Sequence, residues 1–148
     1  RRSQKVLYRP LCSNCSACLS IRVKVNEFQN SKSQKRVISK NKEIERIEKK
    51  PEATDEQYQI FKKYLNYRHL NGGMSDMDAL EFSSMIEETN VDSQIFEYWK
   101  TINSEKKELI AVCLTDTNND GLSMVYSFYD PQFFLSLALN LIVQFQEA

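Results

Sequence analysis

The stretch from Ile95 to Tyr129 constrains the fold more than any other. Three runs rich in β-branched and aromatic residues, Ile95–Ile102, Leu109–Thr115 and Leu122–Tyr129, follow one another across short gaps. Such runs read as strands. The last two flank Asp116–Gly121 (DTNNDG), whose Asp, Asn and Gly residues favour a hairpin turn. Asp130-Pro131 closes the third run. Strands joined this closely run antiparallel, because a parallel crossover needs a dozen or more residues.

Helical patterns flank this block. Thr54 and Gln57 form a capping box, and Tyr58, Phe61, Tyr64, Leu65 and Arg68 follow at helical spacing. Asn71-Gly72-Gly73 predicts the stop of this Thr54–Leu70 helix. Ser75 is the expected cap of a second helix, Asp76–Glu88, with Met77, Leu80, Met85 and Ile86 on its buried side. Phe133–Gln146 reads as a core helix; it is too short to cross a bilayer, which takes roughly 20 residues. The class is therefore α+β or mixed α/β.

The N-terminal third differs in charge. The 20 basic and 20 acidic side chains cancel over 148 residues, but residues 1–50 hold 14 basic and 4 acidic residues, a balance of +10. The remainder holds 6 and 16, a balance of −10. A basic segment of this kind suits a polyanion, most often nucleic acid, although a solvated lysine-rich linker is an equal reading of Ser31–Lys50. Val6–Tyr8 reads as a short strand. Leu19–Val25 reads as another, because Ile21, Val23 and Val25 alternate with Arg22 and Lys24. Asn30–Lys50 reads as a connector with a strand around Lys35–Ser39, closed by Pro51.

Cys12, Cys15 and Cys18 form C-x-x-C-x-x-C, a spacing that lets thiolates converge on zinc or an iron–sulfur cluster. Three ligands fall one short of the usual four, and reduced thiols packed in a small subdomain are the plainer reading. Cys113 sits inside an apolar run and reads as a buried small hydrophobe. His69, the single histidine, stands at a helix end, where it serves as a helix partner more often than as a catalyst. The three glycines, Gly72, Gly73 and Gly121, cannot spell a phosphate-binding glycine loop.

Arg1–Val25 (RRSQKVLYRPLCSNCSACLSIRVKV), Tyr64–Met77 (YLNYRHLNGGMSDM) and Leu114–Pro131 (LTDTNNDGLSMVYSFYDP) together resemble the arginyl-tRNA–protein transferase family. They look most like its bacterial branch, the aspartate/glutamate leucyltransferases. The resemblance implies transfer of an amino acid from charged tRNA to the N-terminal amine of a protein beginning with Asp or Glu, which marks that protein for N-degron proteolysis. Leucyl-tRNA is the implied donor, with arginine as the alternative, and the cytoplasm is the implied location, with no membrane partner. It also implies the end of a cysteine-bearing first domain over 1–42, followed by the first half of a GNAT-like acyltransferase domain over 45–148. The family has a further segment before the R-R-S block and further strands after Pro131. We therefore expect this chain to be a piece of a longer enzyme.

The implied reaction is aminolysis of an ester that is already activated, so it needs no nucleotide and no redox cofactor. An α-amine has an ordinary pKa of roughly 7.7–8.0 and is partly neutral at physiological pH. The protein has to align amine and ester, accept a proton and stabilise an oxyanion. Under this resemblance the candidate catalytic residues are His69, Tyr126 and Asp130. Arg9, Arg22 and Arg68 are the candidates for the acidic acceptor, and Arg1, Arg2 and Lys5 for tRNA phosphates. Zinc or an iron–sulfur cluster falls to Cys12, Cys15 and Cys18. A metal-bearing RNA-binding module explains the basic third but not the strand block. An acyl-CoA-dependent acetyltransferase lacks its glycine-rich loop here.

Overall fold

A strand buried on both faces organises the molecule. The structure, a computed structural model, describes residues 2–9, 11–19, 21–70, 72–104 and 106–133. A short hairpin pairs β1 (Arg2–Ser3) with β2 (Val6–Leu7). Then come α1 (Lys32–Lys40), β3 (Ile44–Lys49), α2 (Asp55–Arg68), α3 (Ala79–Glu87), β4 (Ser93–Asn103), β5 (Lys106–Asn118) and β6 (Gly121–Tyr129). The strands β3-β4-β5-β6 form one antiparallel meander. In β5, Leu109 to Asp116 are all buried, because β4 and β6 flank the strand and side chains cover both faces.

One face carries the larger core. Ile95, Val112, Leu114 and Phe128 of the sheet meet Ile60, Phe61 and Leu65 of α2, with Phe82 and Ile86 of α3. Phe61 is fully buried and lies 5.0 Å from Phe82 and 5.4 Å from Phe128, ring centre to ring centre. The other face buries Phe96, Tyr98, Ile110, Ala111, Cys113 and Tyr129. A break in register at Tyr98/Trp99 skips Ile110 and lets the neighbouring residues Ile110 and Ala111 join the same face.

The hairpin turn narrows to Asn119-Asp120. Gly121 follows at φ 155°, which L side chains rarely adopt. The Thr54–Gln57 capping box forms as expected. Gln57 is itself fully buried, and its Nε2 donates to the buried carboxylate of Glu97 at 2.8 Å. Glu97 also accepts from Trp99 Nε1 at 2.9 Å and pairs with Lys49 Nζ at 2.7 Å. β3, α2 and β4 are thus tied at one carboxylate whose burial unpaired would be costly.

Several sequence expectations are corrected. The sheet has four strands among the described residues, not three, because β3 lies in the segment read as a connector. Its charged residues Glu45, Arg46, Glu48 and Lys49 suit an edge strand and mask the alternation. The strand expected around Lys35–Ser39 is helix α1, whose Ser31 and Gln34 form a capping box. Among the described residues, 19 and 21–25 form no strand: Leu19, Ile21, Val23 and Val25 are exposed, and alternation without a partner strand buries nothing. A 3₁₀ turn covers Val25–Glu27 instead.

The second helix starts from Asp78, not Ser75. Asp78 and Glu81 complete a capping box, whereas the Ser75 hydroxyl donates to the Gly72 carbonyl at 2.7 Å. Leu80 is exposed, and Phe82 takes the buried place assigned to it. The first helix ends at Arg68, ahead of Asn71-Gly72-Gly73. The expected helix Phe133–Gln146 lies outside the described residues, apart from Phe133 at the end of a 3₁₀ turn, Pro131–Phe133.

Candidate functional site

The C-terminal end of α2 and the end of β6 bring four of the predicted residues into one neighbourhood. Helical spacing places Lys63, Tyr64, Tyr67 and Arg68 on the last two turns, and His69 is the C-cap. Tyr64 holds the group together. Its ring lies 5.6 Å from His69 and 5.0 Å from Tyr129, both edge-on. Tyr126 packs 6.1 Å from Phe61, on the same side of β6 as Phe128. Beyond Tyr129, Lys63 Nζ pairs with Asp130 Oδ2 at 2.8 Å. Lys63, Asn66, Tyr67, Asp130 and Gln132 line an open cleft of about 450 Å³.

The electrostatics separate these side chains by role. Burial pushes the Tyr126 hydroxyl up to about 12, and the nearby Tyr64 adds to the shift. Tyr126 is therefore protonated at neutral pH and is a donor, not a base. Among the described residues its hydroxyl has no hydrogen-bond partner. The Tyr129 hydroxyl is also raised, first by burial, while the Arg68 guanidinium pulls it back. Arg68 itself is exposed in the last turn of α2. Asp130 is held on both oxygens: Lys63 donates to Oδ2, and the Gln132 backbone N–H donates to Oδ1 at 3.0 Å. It braces the turn after β6 and is nearly buried.

The loop after α2 is pinned to the helix. Tyr58 donates to the Met77 carbonyl at 3.1 Å, and Lys62 donates to the Ser75 carbonyl at 3.0 Å. Gly72 donates its N–H to the His69 carbonyl at 2.8 Å. A Cβ at Gly72 would stand 3.2 Å from both the His69 Cβ and its carbonyl oxygen, so glycine permits the close approach. Sequence reasoning missed Tyr64, Tyr129 and Lys63. Tyr64 lies one helical turn before Arg68, a spacing that was available as a signal.

The remaining candidates lie elsewhere. Arg22 pairs with Asp120 in the β5–β6 turn, and both side chains are well exposed. That turn is at the opposite end of β6 from Asp130. Eight residue steps separate Gly121 from Tyr129, about 26 Å of strand. Arg9 is exposed in the N-terminal segment. Lys5 pairs with Glu88 at 3.6 Å. Arg2 contributes backbone to β1, and Arg1 lies outside the described residues.

Cys12, Cys15 and Cys18 are exposed and unbridged on one loop. Among the described residues, no three Cys, His, Asp or Glu side chains gather as a metal site. The donors present thus do not form a complete set for zinc or a cluster. Cys113 is fully buried, and burial lifts its thiol to about 11. At pH 8 this leaves far less thiolate than an ordinary cysteine carries. Native alkylation followed by mass spectrometry is expected to spare Cys113 until the protein is unfolded. Early labelling of Cys113 would contradict its placement in the core.

Comparison with known proteins places these elements in a family. Residues 56–143 match the profile described as "Arginine-tRNA-protein transferase, C terminus", and residues 1–36 match its N-terminal counterpart. The chain belongs to the arginine-tRNA-protein transferase family. It is 54% identical over 131 residues to a protein of Ruegeria pomeroyi named "Aspartate/glutamate leucyltransferase", covering 88% of this chain and 47% of that protein. A protein of the same name from Paracoccus denitrificans is 48% identical over 139 residues, covering 88% of this chain and 50% of its own length. The chain spans about half the length of the curated relatives it matches. No described helix is long and apolar enough to cross a membrane.

Proposed function

We propose that the full-length protein is a cytoplasmic aminoacyl-tRNA–protein transferase that moves leucine from leucyl-tRNA to proteins beginning with Asp or Glu. The observation that carries this reading is the close similarity to relatives named leucyltransferases across most of this chain. A GNAT-type acyltransferase fold for the sheet, and a separate cysteine-bearing first domain, belong to the same proposal.

In the proposed reaction the α-amine attacks the ester carbon of the aminoacyl group. A peptide bond forms, and the bond to the ribose oxygen of the tRNA end breaks. The proton lost by the amine is returned to that oxygen. His69, exposed beside the Tyr64 ring, is the proposed proton acceptor. Tyr126, kept protonated by burial, is the proposed donor to the oxyanion. Asp130 and Lys63 position the end of β6. Arg68 faces the acidic side chain of the acceptor through a charge-assisted hydrogen bond. A metal or cluster held by Cys12, Cys15 and Cys18 is proposed for the full-length protein, where a fourth donor would complete the set; it supplies no step of the transfer.

The test is incorporation of labelled leucine from charged tRNA into peptides starting with Asp, Glu, Asn or Gln. Transfer to the first two and not the last two is expected. Equal transfer to all four, or transfer to none, would reject the proposed acceptor. Protection of the three loop cysteines from alkylation in anaerobically purified protein, together with bound zinc or iron, is the expected sign of the metal site.

A further inference from the structure

A second cleft, of about 440 Å³, opens between α1, β4 and the turn after β6. Arg36 and Lys40 reach it from α1, Lys100 from β4, and Gln132 and Phe133 from the 3₁₀ turn. Among the described residues, no acidic side chain lines it. Elsewhere several of the protein's cations are paired with carboxylates: Lys5, Arg22, Lys24, Lys49, Lys63, Lys106 and Lys107 form ion pairs. Among the described residues Arg36, Lys40 and Lys100 form none, and Lys100 rests over the Phe133 ring at 5.0 Å.

Lys32, Arg36 and Lys40 fall at successive four-residue steps, so they form one stripe along α1. Each step is about 6 Å along the helix axis. Like charges at this spacing repel and weaken the helix slightly unless an anion lies against them. Lys40 is partly compensated by the helix C-terminus; Arg36 and Lys100 are not. A solvated basic helix face would explain α1 alone. It would not explain why a strand from another element adds a cation to the same cleft.

We propose that this cleft binds the phosphate backbone of RNA, with Arg36, Lys40 and Lys100 each contacting a phosphate. The inference rests on RNA as the substrate class proposed above. It places the polyanion on α1 and β4, not on Arg1, Arg2 and Lys5 of the N-terminal segment. Gln132 also lines the cleft beside Asp130, so the RNA lies next to the tyrosine and arginine cluster.

The test uses full-length protein and fluorescent uncharged tRNA, with affinity measured from low to high salt. The variant Arg36→Gln, Lys40→Gln, Lys100→Gln is compared with Lys24→Gln, Lys106→Gln, Lys107→Gln, which removes the same charge from paired surface lysines. Losing three phosphate contacts flattens the log–log salt slope by about 2 to 2.7 and weakens binding roughly 50- to 150-fold at 0.15 M salt. The control variant should keep a near-normal slope, and both variants should keep the parent's unfolding midpoint. An unchanged slope in the first variant, or equal flattening in the control, overturns the proposal while leaving the transferase reading intact. Failure of the parent protein to bind tRNA at all overturns both.

Discussion

Replacing Phe61 with alanine is expected to cost about 3–5 kcal/mol of stability, the range for a buried aromatic truncated in a core. Phe61 is fully buried at the meeting point of α2, α3 and β6. Its ring touches Phe82, Phe128 and Tyr126, so removing it opens a cavity that rigid neighbours cannot close. A domain stable by about 5–15 kcal/mol would lose a large part of its margin. Phe61→Leu should cost less, because it refills most of the volume. Urea unfolding of the full-length protein and both variants measures the difference. A cost below about 1 kcal/mol for the alanine variant would place Phe61 outside a tightly packed core.

Changing Arg68 to Gln is expected to reduce discrimination for Asp over Asn at the acceptor position by roughly 10- to 150-fold, which is the worth of a hydrogen bond to a charged group, about 1.5–3 kcal/mol. Basic residues are scarce after residue 50: Lys62, Lys63, Arg68, Lys100, Lys106 and Lys107 complete the set. Lys63 is paired with Asp130, Lys106 with Glu108 and Lys107 with Glu45, while Lys62 holds the loop through the Ser75 carbonyl. Lys100 is in the basic cleft. Arg68 stands at the tyrosine cluster, on the exposed rim. Kinetics on paired Asp and Asn peptides, with tRNA affinity measured alongside, separate the outcomes. Loss of preference with unchanged tRNA binding supports the assignment. Preserved preference shifts it to another residue.

The strand block was legible because its signals were local. Apolar runs bounded by DTNNDG and by Asp130-Pro131 lead to β5 and β6 with small boundary errors. The Thr54–Gln57 capping box marks α2 for the same reason. The same signal stands at Ser31–Gln34 and at Asp78–Glu81, where the sequence reading passed over it. β3 was hidden because an edge strand tolerates charge, and its pairing with β4 spans some fifty residues. Leu19–Val25 failed in the opposite direction: the periodicity was present but the partner was not.

The site was half legible. Arg68, His69, Tyr126 and Asp130 came from motif blocks, and the fold gathers them through Tyr64 and Lys63, to which the sequence reading gave no site role. Arg22 was chosen by charge and motif position, and neither says which end of a strand a side chain reaches. The salt bridge to Asp120 fixes it about 26 Å of strand away from Asp130. The basic cleft was foreshadowed by the +10 balance of residues 1–50. Its location was not, because Lys100 joins Arg36 and Lys40 only once β4 is paired beside β3.

The most direct test of the central claim is a competition between donors. Full-length protein is mixed with leucyl-tRNA and arginyl-tRNA, each carrying a differently labelled amino acid, and a peptide that begins with Asp. The account predicts labelled leucine on the peptide's N-terminal amine, with arginine left on its tRNA. Arginine on the peptide, or neither label there while both tRNAs stay bound, would contradict it.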